Sequence, residues 1–196
     1  MGRTSDARER LIASAVELLH TRGYNGVGVA EICEHAGAKK GSFYYFFPSK
    51  RDLALAAIDA QWERYEREML QPAFKDDVPP AKRIQRLFRM TRKYQECGRV
   101  NGQIRGCPFG NLALEMSTLD PAIQERLQEI YRRMASHFES ALQEAAGERK
   151  LTKAALHKQA AGLLAYYQGA VLLAKTNNEP QLIEQLAGGA VRLASA

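Results

Sequence analysis

Residues 36 to 50, Ala-Gly-Ala-Lys-Lys-Gly-Ser-Phe-Tyr-Tyr-Phe-Phe-Pro-Ser-Lys, decide how this chain is read. Gly37 falls where one short helix must stop and the chain must reverse, a place that favours a residue free to take φ > 0. A second short helix follows from about Lys40 to Phe47, crowded with aromatic side chains, and Pro48 ends it. Phe43, Phe46 and Phe47 suit a small core, as phenylalanine usually does. Lys40, Tyr44, Tyr45 and Lys50 offer charge and hydroxyl groups at a spacing suited to the phosphates that flank a DNA groove.

Working outward, the surroundings are helical. Leu11, Ile12, Ala15, Leu18 and Leu19 form one apolar stripe on a helix from about Thr4 to Arg22, and Gly23 fits its stop. A glycine-rich turn, Asn25 to Gly28, leads to a short helix from about Val29 to Ala36. Three short helices, the last two joined by a tight turn, are the parts of a helix-turn-helix, whose second helix enters the major groove. Ser49 and Asp52 read as a capping box opening a long helix to about Leu70. Pro72 to Pro80 reads as a linker. Helices follow at about Ala81–Glu96, Pro108–Ser117, Pro121–Ala146, Lys153–Thr176 and Pro180–Ala194, with Asp120-Pro121 a strong start signal. No run alternates with period two for long enough to make a sheet, so the class is all-α. The division expected is a DNA-binding domain over 1–52 and a larger helical effector-binding and dimerisation domain over 53–196.

The chain has 196 residues, enough for a sizeable core. Its formal charge of +6 leans towards a polyanionic partner. That basicity is not concentrated near the motif: residues 1–55 carry eight Lys/Arg against six Asp/Glu, a net of +2, and the remainder carries +4. The amino terminus is polar with no apolar segment behind it, which argues against a secretory signal. The longest apolar run, Ala160 to Ala174, is too short for a membrane span and reads as a buried helix. Cys33, Cys97 and Cys107 are odd in number and lack CxxC spacing, and the four histidines lack ligand spacing. A disulfide framework, a metal site and a bound cofactor are therefore not expected, and a reducing cytoplasm is the simplest compartment.

Residues 8–55 resemble the DNA-binding domain of the TetR family of bacterial repressors. The resemblance is carried by Gly23-Tyr24, Val29-Ala-Glu-Ile-Cys33, Ala36-Gly-Ala-Lys-Lys-Gly-Ser-Phe-Tyr-Tyr-Phe46 and Ser49-Lys-Arg-Asp-Leu53. It implies backbone contacts to double-stranded DNA from Lys40, Tyr44, Tyr45 and Lys50, with Lys39 and Ser42 placed to face bases or phosphates. Gly28 stands where the family often has a phosphate-touching Ser or Thr; glycine is an acceptable cap, but that hydroxyl is missing. The resemblance also implies a homodimer on a pseudo-palindromic operator, released by an effector.

The C-terminal body agrees on physical grounds. The helix Lys153–Thr176 is apolar nearly all round, with Ala161, Gly162, Ala165 and Gly169 permitting close helix approach. The last helix has a stripe at Leu182, Ile183, Leu186, Ala190 and Leu193. Stripes beyond what one monomer needs point to a partner helix, hence a dimer through two helices from each chain. In Gly106-Cys-Pro-Phe-Gly110, Cys107 precedes a helix with Pro108 at its first position, where the helix dipole favours a thiolate. Gly102–Leu119 with Gly169–Pro180 resembles the electrophile- and chlorine-sensing branch of the family, which implies Cys107 as sensor with Lys175 close by. The plainer reading makes Cys107 a small buried residue and Lys175 a surface charge. If a small molecule is the inducer, Trp62, Tyr94, Phe109, Met116, Tyr166 and Tyr167 are candidates to line its pocket. Two other classes stand against the repressor: a thiol peroxidase-like enzyme built on Cys107, and a helical interaction module that does not bind DNA. The enzyme lacks a partner base at recognisable spacing, and either class would leave the helix-turn-helix unexplained.

Overall fold

A computed structural model describes residues 2–147 and 151–195. The elements in chain order are α1 (Gly2–Arg22), α2 (Val29–His35), α3 (Lys40–Phe46), α4 (Lys50–Tyr65), a π-helical turn (Glu66–Leu70), α5 (Gln71–Ala73), α6 (Pro80–Cys97), α7 (Pro108–Met116), α8 (Pro121–Ala146), α9 (Lys153–Asn177) and α10 (Gln181–Ser195). Among the described residues there is no strand, only an isolated bridge between Val100 and Gln103. Among the described residues no helix is long and apolar enough to cross a membrane.

The chain divides into two compact units. The first comprises Met1–Arg64 and Pro108–Gln128, the second Tyr65–Cys107 and Glu129–Ala196. In the first, α1, α2 and α3 close over a core that includes Leu11, Ala15, Ile32, Phe43 and Phe47. Phe47 is buried and Phe46 only partly so, because the helix ends at Phe46 and the extended Phe47 turns its ring inward. Trp62 of α4 and Phe109 of α7 meet edge to face at 6.0 Å in the same unit.

The second unit is built on α6, whose apolar stripe Ile84, Leu87 and Phe88 is buried. It packs against α10, which in turn lies along α9. Phe88 meets Tyr167 edge to face at 5.4 Å, and Phe74 meets Phe138 likewise at 5.3 Å.

Two expectations need correction. Pro72 does not end the long helix: α4 runs through the π turn into α5, and the connection to α6 begins only after Ala73. The Gln71 amide reaches back to the Glu66 carbonyl in a π-type register, and Pro72 falls in the first turn of α5, where a missing N–H is tolerated. The apolar run Ala160 to Ala174 is not a buried helix all round. Ala160, Leu163, Tyr167, Ala170, Val171 and Ala174 are buried, whereas Ala161, Gly162, Ala165 and both Leu172 and Leu173 are exposed.

Candidate functional site

The reading segment is built by local signals. Gly28 caps α2 in extended backbone without a side-chain hydrogen bond. At the other end Gly37 takes φ +58°, so that the Gly37 amide bonds Glu34 and the Ala38 amide bonds Cys33, which satisfies the last carbonyls of α2. Arg10 Nε donates to the Ala36 carbonyl at 2.9 Å, fixing the turn to α1. From there α3 starts at Lys40, with Lys39 at its N-cap.

Helix α3 has two faces. Phe43 is wholly buried, while Tyr44 and Tyr45 are 59% and 76% exposed. Each tyrosine is steadied by an edge-to-face neighbour, Tyr44 on Phe43 at 5.0 Å and Tyr45 on Phe46 at 4.9 Å. Lys39 and Lys40 are exposed and Ser42 half-buried. A Cβ at Gly41 would meet nothing within 4 Å, so internal packing does not call for glycine there. Lys50 behaves differently from the other cations. It is half-buried, its ammonium donates to the Tyr24 carbonyl, and it lies 4.1 Å from the centre of the Tyr24 ring. Burial lowers its pKa, and the charge of Glu115 pushes it back up. Ser49 accepts from the Asp52 amide at 3.3 Å, as a capping box requires, while the Asp52 carboxylate takes the Ser49 hydroxyl at 2.6 Å rather than a backbone amide.

The remaining candidates are divided between the two units. Trp62, Phe109 and Met116 lie buried in the first, and Tyr94, Tyr166, Tyr167, Cys107 and Lys175 lie in the second. Cys33 is buried, Cys97 exposed and Cys107 intermediate. Burial raises the Cys33 thiol. Cys107 stands within electrostatic reach of a group of tyrosines: burial raises the hydroxyl pKa of Tyr65, Tyr131 and Tyr167, and Cys107 adds to the rise in all three. Lys175 is exposed in the last turn of α9, where its charge complements the helix dipole. Tyr166 is half-buried; its hydroxyl donates to the Leu186 carbonyl at 3.0 Å and tethers α9 to α10.

Several residues at the site escape sequence reading. Tyr167 OH lies 2.8 Å from both the Tyr65 hydroxyl and Thr91 Oγ1, and Thr91 also donates to the Leu87 carbonyl. Gln95, buried on α6, exchanges two hydrogen bonds with Gly106, accepting from its amide at 2.9 Å and donating to its carbonyl at 3.0 Å. That pair holds the backbone next to Cys107, with Gly106 at φ +76°. Val100 to Gln103 closes a tight turn with Asn101 and Gly102 both at positive φ. Asn178, left-handed at the end of α9, accepts from the Ile104 amide at 3.1 Å and donates to the Gly102 carbonyl at 3.1 Å. One signal was available: Thr91 and Gln95 continue the apolar stripe of Leu87 and Phe88 at helical spacing, and a polar residue on such a stripe must find a buried partner.

A family model described as Bacterial regulatory proteins, tetR family, matches residues 11–57, and a second, Tetracyclin repressor-like, C-terminal domain, matches residues 80–188. The HTH-type transcriptional regulator LmrA of Bacillus subtilis is 31% identical over 90% of this chain and 92% of its own. The HTH-type transcriptional repressor NemR of Escherichia coli is 27% identical over 91% of this chain and 89% of its own. The crystal structure of the reduced form of E. coli NemR superposes with a TM-score of 0.81 at 26% identity, covering 94% of this chain and 95% of that one. A regulatory protein TetR from Rhodobacter sphaeroides also gives 0.81, at 30% identity over 95% and 98%.

Proposed function

The chain belongs to the tetR family of bacterial regulatory proteins, and we propose that it reads its operator through Lys39, Lys40, Ser42, Tyr44, Tyr45 and Lys50. It is a DNA-binding transcriptional repressor of the NemR-like branch, not an enzyme; such regulators act as dimers and respond to small-molecule effectors. The observation that carries the residue assignment is the two-faced α3. Two tyrosines stand exposed beside exposed lysines, while Phe43 on the opposite face anchors the helix. Tyrosine hydroxyls and lysine ammoniums are among the side-chain groups that bond phosphate oxygens. A glycine with open space around it suits close approach of a partner's backbone to α3.

Residues 1–52 form the DNA-binding domain and 53–196 the effector-binding and dimerisation domain. The dimer forms through α9 and α10, whose exposed Leu172 and Leu193 and small residues suit a four-helix contact. Paired heads then meet half-sites about one helical turn of DNA apart, ~34–36 Å, and the operator is pseudo-palindromic. The compartment is the cytoplasm.

The effector step is thiol modification at Cys107. Its support is position: Cys107 is more accessible than Cys33, sits directly before the nine-residue α7, and follows a backbone at Gly106 that Gln95 holds through two hydrogen bonds. The second reading, an uncharged ligand held within the second unit beside Tyr94, Tyr166 and Tyr167, is favoured by the buried Tyr65–Tyr167–Thr91 hydroxyl chain of that unit.

The test is fluorescence anisotropy on a duplex selected by the protein from a random-sequence pool, with and without stoichiometric N-ethylmaleimide. Tyr44→Ala and Lys50→Ala should each weaken binding with fold and dimer intact, and unchanged affinity in both would sink the residue assignment. Cys107→Ser should bind DNA and ignore the reagent. A persisting response in that variant would exclude Cys107.

A further inference from the structure

Tyr24 and Asn25, in the turn after α1, present consecutive backbone amides to a single carboxylate on α7. The Tyr24 amide donates to Glu115 Oε2 at 2.7 Å and the Asn25 amide to Oε1 at 2.7 Å. Gly23, at φ +78°, lets the carboxylate in: a Cβ there would lie 2.7 Å from Oε2. A carboxylate taking two backbone amides makes charge-assisted bonds, stronger than neutral ones. Asn25 Nδ2 also reaches Met116 Sδ at 3.8 Å, so the turn is tied to consecutive residues of α7.

The other side of the same turn belongs to Lys50. Its ammonium donates to the carbonyl of Tyr24, the residue whose amide Glu115 holds, and its side chain lies over the Tyr24 ring. One ammonium carries three donors, and the Tyr24 carbonyl uses one of them, which leaves two for a phosphate. A lysine so held has lost rotamer freedom before DNA arrives, and less entropy remains to be lost on binding. All of these residues lie within the first compact unit.

We propose that Glu115 is a positioning residue for DNA binding: by clamping the Tyr24–Asn25 amides to α7 it fixes the Tyr24 carbonyl that holds Lys50 in its phosphate-contacting place. Glu115 itself does not touch DNA. The inference rests on Lys50 as a phosphate contact. It ties Lys50 to α7 within the first unit.

The test is a double-mutant cycle on the selected duplex, read as affinity and as the dependence of log K on log salt. The variants are Glu115→Gln, Lys50→Ala, Lys40→Ala and the two doubles of Glu115→Gln with each lysine variant. Glu115→Gln should weaken binding by the same factor as Lys50→Ala, to within about twofold, and flatten the salt dependence equally, since residues acting as one unit are non-additive. In the Lys50→Ala background Glu115→Gln should then cost nothing further, while with Lys40→Ala the losses should multiply. Multiplying losses in both backgrounds would mean that Glu115 merely stabilises the head, and the proposal falls while Lys50 keeps its role. No loss from Lys50→Ala removes the phosphate contact and the proposal with it. Glu115→Ala, which sets no amide donor against the two backbone N–H groups, repeats the cycle should Glu115→Gln fold poorly by circular dichroism.

Discussion

Lys40→Ala isolates one phosphate contact. Lys40 is the first residue of α3 and exposed, whereas Lys50 also donates to the Tyr24 carbonyl, so truncation at Lys40 removes a charge without breaking that hydrogen bond. A dimer presents Lys40 twice. Each lost phosphate contact lowers the slope of log K against log salt by about 0.9, so the variant slope should be shallower by about 1.8. Raising monovalent salt fourfold, from about 50 to about 200 mM, spans about 0.6 log units, and the affinity deficit of the variant should shrink about tenfold over that range. The assay is anisotropy on the selected duplex and on a scrambled one, because a phosphate contact carries no sequence information and both should weaken alike. A slope equal to that of the unaltered protein would refute the assignment of Lys40 to the backbone. A loss confined to the selected duplex would instead make it a base contact.

Three further outcomes are expected. Tyr167→Phe deletes the hydroxyl shared by Tyr65 and Thr91, both buried, and should lower unfolding stability in urea by about 1–3 kcal/mol while leaving the salt dependence of DNA binding unchanged. Gly189→Ala would place a Cβ 2.0 Å from the Tyr166 hydroxyl, forcing it off the Leu186 carbonyl; overpacking of this kind costs about 1–3 kcal/mol, to be read as a lower thermal midpoint. Burial lowers the His137 pKa, against the opposing charge of Glu66, so below its ordinary value the unfolded chain binds more protons than the folded one. Stability should therefore rise with pH from the depressed folded value up to about 6.5 and fall on acidification through that window. His137→Phe, which keeps a ring against Phe74, should flatten that limb in urea titrations at stepped pH.

Sequence alone determined the elements whose causes are local. Gly23 and Gly37 mark helix ends because the chain needs positive φ there, and both take it. The spacing of Leu11, Ala15 and Leu18 orients α1, and the aromatic run of α3 could be split in advance into a buried Phe43 and exposed tyrosines. The same local rules misread Pro72, because a proline in the first turn of α5 does not interrupt the helix, and misread the Ala160–Ala174 run, because apolar content does not say which neighbours cover it. Tertiary structure decided everything that depends on partners far along the chain. Glu115 meets amides 91 and 90 residues away, Tyr65 meets Tyr167 across 102 residues, and Gln95 finds the backbone of Gly106. In two of these the partner is a backbone group, which every non-proline residue carries, so no residue type announces it. Only the fold brings a particular carboxylate or amide to a particular turn, and that placement is what distinguishes a reading head with a held Lys50 from a helix-turn-helix motif in a sequence.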